Sequence, residues 1–208
     1  MNSQLLILAA LLLPVVGVLF ISLTKKNINL RETSTLIVSM ALIYVVYSLL
    51  PDVLNGVYPE LYLFNVTSGL SIHFQIEPLG MLFACVASFL WFINSIYSIG
   101  YMRTNEYKNQ TRFYIYFALA IASTIGIAFS ANLFTLFIFY EFLTLTTYPL
   151  VTHKETDEAK RAGRIYLGIL LATSICLFLP AIIWTYHLTG TINFTPGGVF
   201  DGHQEPTV

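Results

Sequence analysis

Six runs of predominantly apolar residues follow one another along the chain, each close to the ~20 residues a helix needs to cross the hydrocarbon core of a bilayer. They cover Leu5 to Leu23, Thr35 to Val57, Leu79 to Tyr101, Phe113 to Ser130, Leu133 to Val151 and Gly163 to Tyr186. Polar or helix-breaking residues punctuate them: Lys25-Lys26-Asn27, Pro51-Asp52, Arg103 to Arg112, Ser130-Ala131-Asn132, and His153 to Arg164. The fourth and fifth runs meet with almost nothing between them, which predicts a tight helical hairpin. Between the second and third, Leu61 to Val66 and Leu70 to Gln75 are short, rich in β-branched and aromatic residues, and flank Thr67-Ser68-Gly69. That pattern predicts a small β-hairpin on the membrane surface. The expected fold is therefore all-α and integral to the membrane, with about six transmembrane helices and an extracytoplasmic hairpin between helices 2 and 3. Residues 1–190 make up the six-helix unit, and residues 191–208, polar with Gly and Pro, read as a mobile tail.

Composition agrees with lipid as the solvent. Of 208 residues, 56% are hydrophobic and only 10% are charged, where a soluble domain carries about a quarter charged residues. The first run has no basic residue before it and Lys25-Lys26 after it, the reverse of a secretory signal, so it reads as a retained span. Cys85 and Cys176 each sit inside an apolar run and read as small core or lipid-facing residues.

The charges give an orientation. With the N-terminus outside, six spans put residues 24–34, 102–112 and 152–164 in the cytoplasm, and those stretches hold all ten basic residues of the chain. The other loops carry Asp52, Glu60, Glu77, Asp201 and Glu205 and no Lys or Arg. The positive-inside rule is thus met by spans assigned from hydropathy alone. The expected location is a plasma membrane, crossed several times, with both termini outside.

In the fourth span Ala118, Ala122, Gly126 and Ser130 recur every four residues, a stripe that lets another helix approach closely and reads as bundle packing. Asn94, Ser95, Ser98, Thr173 and Ser174 are short polar side chains that more often bond helix backbone than line a path. Pro180 should loosen the sixth helix by removing a backbone donor. Trp91, Trp184, Tyr186, Tyr114 and Tyr116 read as interfacial anchors.

Glu141 stands apart, because it lies near the middle of the fifth span between Leu133 to Tyr140 and Phe142, Leu143 and Leu145. An ionised carboxylate at that depth costs a few kcal/mol or more, so such a residue faces the bundle interior or water and pairs with something. A carboxyl there that binds and releases a proton is a proton carrier. Thr144 and Tyr148 follow at one and two helical turns, which makes Glu141, Thr144 and Tyr148 the candidate ion pathway. The structural alternative is that Glu141 simply bonds a neighbouring helix. Apart from Arg164 at the cytoplasmic edge of the sixth run, none of the six runs contains Lys or Arg, so no counter-charge for it lies within their apolar length.

Other chemistry finds little support. The histidines at 73, 153, 187 and 203 lie in loops or at span ends without ligand spacing, which argues against a metal site. No nucleophile and base share a membrane depth, and no glycine-rich phosphate loop or basic nucleic-acid motif is present. Intrinsic catalysis, a cofactor and nucleic-acid binding are not expected.

Three stretches carry a family resemblance: Ile96-Tyr-Ser-Ile-Gly-Tyr-Met102, the run from Arg112 through Ser130-Ala-Asn-Leu-Phe-Thr-Leu-Phe-Ile-Phe-Tyr-Glu141, and Thr144-Leu-Thr-Thr-Tyr-Pro-Leu150. With the hairpin before Ile76-Glu77-Pro78 and with Gly190 to Phe194, they resemble the antiporter-like subunits shared by Mrp-type cation/proton antiporters, respiratory complex I and membrane-bound hydrogenases, most closely the D-type member of the Mrp assemblies. The resemblance implies that Glu141 matches the family's fifth-helix transport glutamate. Tyr140 stands where the family commonly has Trp, and Glu77 where it often has Asp. The lysine expected to pair with this glutamate lies on a seventh helix, past residue 208. The resemblance therefore implies the N-terminal part of a proton- or cation/proton-translocating subunit of an antiporter or respiratory complex, split or truncated. Its partners would be the bilayer, other subunits and a second polypeptide carrying the remaining helices. The alternative is a non-transporting scaffold or inactive fragment.

Overall fold

The computed structural model describes residues 2–67, 69–105, 109–195 and 197–200. Ser68, Lys108 and the acidic tail residues Asp201 and Glu205 lie outside the described residues. Helices α1 (Ser3–Leu23), α2 (Ile28–Leu54), α3 (Pro78–Thr104), α4 (Gln110–Ala128) and α5 (Leu133–Val151) each run the depth of a membrane. A sixth span, Asp157–Thr189, is built from α6 (Asp157–Thr173), a π-turn at Ser174–Phe178, and α7 (Leu179–Thr189). The π-turn is the local consequence of Pro180. Proline has no N–H to return to the preceding turn, and the Leu179 N–H instead reaches five residues back to the Ser174 carbonyl. All six spans are long and apolar enough to cross a membrane, so this is a multi-pass membrane protein.

Helices α1 to α4 form the packed body, with α1 against both α2 and α4 and α3 against both α2 and α4. Between lipid-soluble helices the hydrophobic effect adds little, and close backbone approach supplies the packing. Gly17 faces Val38 across α1 and α2, and a Cβ on Gly80 would overlap the Ala128 carbonyl oxygen, so α3 and α4 converge at that end. Trp91 and Tyr114 are both 2% exposed and belong to this interior, whereas Trp184 is 66% exposed. The anchor expectation is therefore corrected for Trp91 and Tyr114, whose rings fill helix contacts.

The hairpin consists of β1 (Glu60–Thr67) and β2 (Leu70–Gln75), paired antiparallel from Glu60 with Gln75 to Thr67 with Leu70. Gly69 has φ +85, and a side chain there would run into Tyr186 of α7. β1 lies against α1, and β2 against α5. The link between α4 and α5 is fastened from both sides. The Ala131 N–H donates to the His73 carbonyl and the Phe194 N–H donates to the Ala131 carbonyl, both at 3.0 Å, while the Leu133 N–H reaches the Ile192 carbonyl at the same distance. The sequence assigns Thr191 onward to a mobile tail. Its first residues are in fact tied down by these bonds, with Ile192 buried, because the non-helical backbone of the 130–132 segment offers hydrogen-bond partners.

Candidate ion site on α5

Asn132 opens α5: its side-chain oxygen accepts the Thr135 N–H at 2.7 Å, and its amide donates to the Ser71 carbonyl at 3.1 Å. The Thr135 hydroxyl also donates to Ser71, at 3.2 Å. Helix start and hairpin are thus one hydrogen-bonded unit. From that fixed start, α5 carries Glu141 to mid-helix. Glu141 is half-buried, and its Oε1 is a buried atom with no hydrogen-bond partner among the described residues. An orphaned buried carboxylate oxygen carries a desolvation cost of several kcal/mol if charged, which an opposing donor or cation would remove.

Thr144 is buried and Tyr148 half-buried on the same helix. No hydrogen bond joins either to Glu141 among the described residues. The hydroxyls of Thr146 and Thr147 donate to the carbonyls of Leu143 and Thr144, each at 3.0 Å, and Thr152 donates to Tyr148 at 3.0 Å. The Tyr148 ring and Thr152 methyl lie over Gly163 of α6, where a Cβ would collide with them. Ala118, Ala122 and Gly126 of α4 are buried, Ser130 is buried two residues past the end of the helix, and Gly126 lies under the Phe139 ring of α5.

Beside Glu141 the flank is open. Buried positions make up 39% of the spanning windows of α1 and α2, but 17% of α5 and 11% of Asp157–Thr189. A cleft of about 550 Å³ separates α5 from the π-turn, lined by Leu136, Tyr140, Thr173, Ser174, Leu177 and Phe178. Phe137 and Tyr140 meet Phe178 across it, with ring centroids 5.8 and 6.1 Å apart.

At the opposite end from the hairpin, the structure reveals a second set of buried charges that hydropathy had placed in loops. α2 begins at Ile28 rather than at Thr35, so Arg31 and Glu32 sit in its first turns, 4% and 3% exposed. Arg103 at the end of α3 pairs with Glu32, and Arg31 lies 3.7 Å from the same carboxylate. Arg31 further donates to Thr111 at 3.1 Å and Gln110 at 2.7 Å, and its guanidinium lies over the Tyr114 ring at 5.3 Å. A signal for this was present. The buried stripe Leu49, Val46, Leu42, Ser39 and Thr35 continues backwards at helical spacing onto Glu32 and Arg31. Beyond the bundle, Arg112 and Asn109 bind Glu155 of the α5–α6 loop, beside His153.

Comparison with known proteins places this arrangement. Residues 130–201 match the family model "NADH:quinone oxidoreductase/Mrp antiporter, TM", and residues 64–114 match "NADH-Ubiquinone oxidoreductase (complex I), chain 5 N-terminus". Over these two stretches the chain is similar to the antiporter-like subunit family. Among relatives, the putative antiporter subunit mnhD2 of Staphylococcus haemolyticus is 28% identical over 203 residues, covering 94% of this chain and 38% of the relative. The putative antiporter subunit mnhA2 of the same organism is 24% identical over 143 residues, 68% of this chain and 18% of that one. The chain thus spans well under half the length of these relatives. Two solved structures share the fold: an archaeal membrane-bound sulfane sulfur reductase complex, with TM-score 0.76 at 20% identity over 90% of this chain and 38% of its own, and the Mrp complex of Dietzia sp. DQ12-45-1b, with TM-score 0.69 at 22% identity over 89% and 35%.

Proposed function

We propose that the chain is part of a proton- or monovalent-cation/proton-translocating membrane subunit of a multi-subunit antiporter or respiratory complex, with Glu141 as the group that takes up and releases the proton. The observation that carries the proposal is the Glu141 Oε1, a buried atom at the middle of α5 without a hydrogen-bond partner among the described residues, on a helix with only 17% of its spanning window buried. A carboxyl in that position needs a donor or cation from outside the six described spans, which is the arrangement of one half of a charge pair. Helices beyond Gly190, on this or a second polypeptide, would cover α5 and bring that cation. Thr144 and Tyr148 continue the path along α5, and the buried small residues Ala118, Ala122 and Gly126, with Ser130 in the link that follows, let α4 hold α5 in register. The family of the relatives, two of them named as antiporter subunits, supports transport rather than catalysis. The positive-inside rule supports a plasma-membrane orientation with the basic end cytoplasmic and the hairpin outside.

The test is proton flux in vesicles containing the complete assembly, with wild-type chain or Glu141→Gln. Loss of cation-dependent proton flux in an assembly of unchanged subunit content is the expected result, with partial flux from Glu141→Asp. Undiminished flux in Glu141→Gln would remove Glu141 from the mechanism.

A further inference from the structure

The turn between α1 and α2 and the last turn of α3 border a shallow, open cleft of about 430 Å³, lined by Lys26, Asn27, Ile28, Asn29 and Arg103. It lies at the basic end of α1, α2 and α3, away from α5, and does not depend on the transport reading. Arg103 is held from behind. Its Nε donates to Glu32 at 3.1 Å, its terminal nitrogen pairs with the same carboxylate, and it donates to the Asn29 side-chain oxygen at 2.7 Å. The guanidinium is therefore fixed in direction while 49% of its side chain remains exposed. Fixing it in advance lowers the entropy lost when an anion binds.

The charge around the cleft is positive. Lys26 and Arg103 line it against the single carboxylate of Glu32 behind them, two charges against one, for a net of +1 among these described residues, with Lys25 next in the chain. The first amides of α2 add the positive end of a helix dipole. Asn27 caps only the Leu30 N–H, at 3.3 Å. On either side, Leu23, Ile28 and Leu30 expose more than half of their surface. Apolar side chains exposed beside fixed cations mark the level where headgroups give way to hydrocarbon.

We propose that this cleft binds the headgroup of an acidic phospholipid, its phosphate against Arg103 and Lys26 and its acyl chains along Ile28 and Leu30. A phosphate alone would satisfy the cations but not the apolar flank. A choline lipid would bring a cation of its own into a positive cleft. The net negative headgroup with two acyl chains meets both requirements.

Native mass spectrometry of the purified 208-residue chain, titrated with phosphatidylglycerol and with phosphatidylcholine, tests this. One phosphatidylglycerol should be retained in preference to phosphatidylcholine, and Lys26→Gln should weaken it about fivefold, the value of one cation near an anionic surface. Phosphatidylcholine retention should be unchanged. Arg103→Gln releases Glu32 and can disturb the fold, so Lys26→Gln and Asn29→Ala, checked for unchanged helicity by circular dichroism, carry the test. Equal retention of the two lipids by the wild-type chain would overturn the proposal, as would an unaltered preference in Lys26→Gln. Displacement of the lipid by an equal concentration of glycerol 3-phosphate would also overturn it, since the site would then serve a soluble phosphate.

Discussion

Arg103 and Glu32 form an ion pair in which only the arginine reaches solvent: the Glu32 side chain is 4% exposed and the Arg103 side chain 49%. The pair closes the last turn of α3 onto the first turn of α2, and its two ends are not equivalent. Removing Arg103 leaves Glu32 with Arg31 at 3.7 Å. Removing Glu32 leaves Arg31, itself buried with an Nε that lacks a hydrogen bond, without a carboxylate partner among the described residues.

Glu32→Gln should therefore destabilise the bundle by about 3 kcal/mol, the lower end of the cost of breaking a buried pair, and Arg103→Gln by less, because its side chain is half exposed. Unfolding in mixed micelles, followed by helical circular dichroism, reads both values. A cost for Arg103→Gln equal to or above that of Glu32→Gln would contradict the shared-carboxylate arrangement.

Gly126 makes a prediction about how α4 holds the helix that carries Glu141. A Cβ at this position overlaps the Phe139 ring, which in turn meets Phe74 of the hairpin edge-on at 5.5 Å. Gly126→Ala should cost about 1–3 kcal/mol, the usual range for overpacking. Adding Phe139→Leu should recover part of that loss, so that the double variant is more stable than the sum of the single changes predicts. Strict additivity in the same unfolding measurement would show that the two residues do not press on each other.

Lipid makes some features of this chain legible and conceals others. A span must satisfy every backbone group internally and present apolar side chains outward, so six hydrophobic runs were enough to place six helices, and the chain-reversing Thr67 to Gly69 was enough to place the hairpin. Glu141 could be read for the same reason, because one carboxylate in a long apolar run has few explanations. Helix ends were harder. Arg31 and Glu32 resemble loop residues by charge, yet they lie within α2 because Arg103, Gln110 and Thr111, from distant sequence, satisfy them. Pro180 announced a disturbance but not its form, since the π-turn depends on which carbonyl the Leu179 N–H finds. The pairing of Ile192 to Phe194 with the α4–α5 link needed a backbone edge that exists only once both helices are placed.

His153 offers a prediction about pH. It lies in the loop after α5, its ring against Phe113 at 5.6 Å, with Arg112 and Glu155 nearby. Burial pushes its pKa below the ordinary histidine value of 6.5, Arg112 pushes the same way, and Glu155 opposes them. The folded chain thus holds the neutral imidazole, while the unfolded chain takes up a proton as pH falls below 6.5. The sign follows: stability is full above that value and declines as pH drops through it towards the lower folded value, because the unfolded state then binds more protons. Nearby, the Arg112–Glu155 ion pair anchors the loop, and Glu155 adopts a left-handed backbone at φ 57. Protonating His153 would set a second cation beside Arg112 and weaken that anchorage. The unfolding midpoint of the wild-type chain should accordingly be lower at pH 5.5 than at pH 7.5, and His153→Gln should reduce this difference while leaving the midpoint at pH 7.5 nearly unchanged. A pH dependence as steep in His153→Gln as in the wild type would assign the effect to other groups.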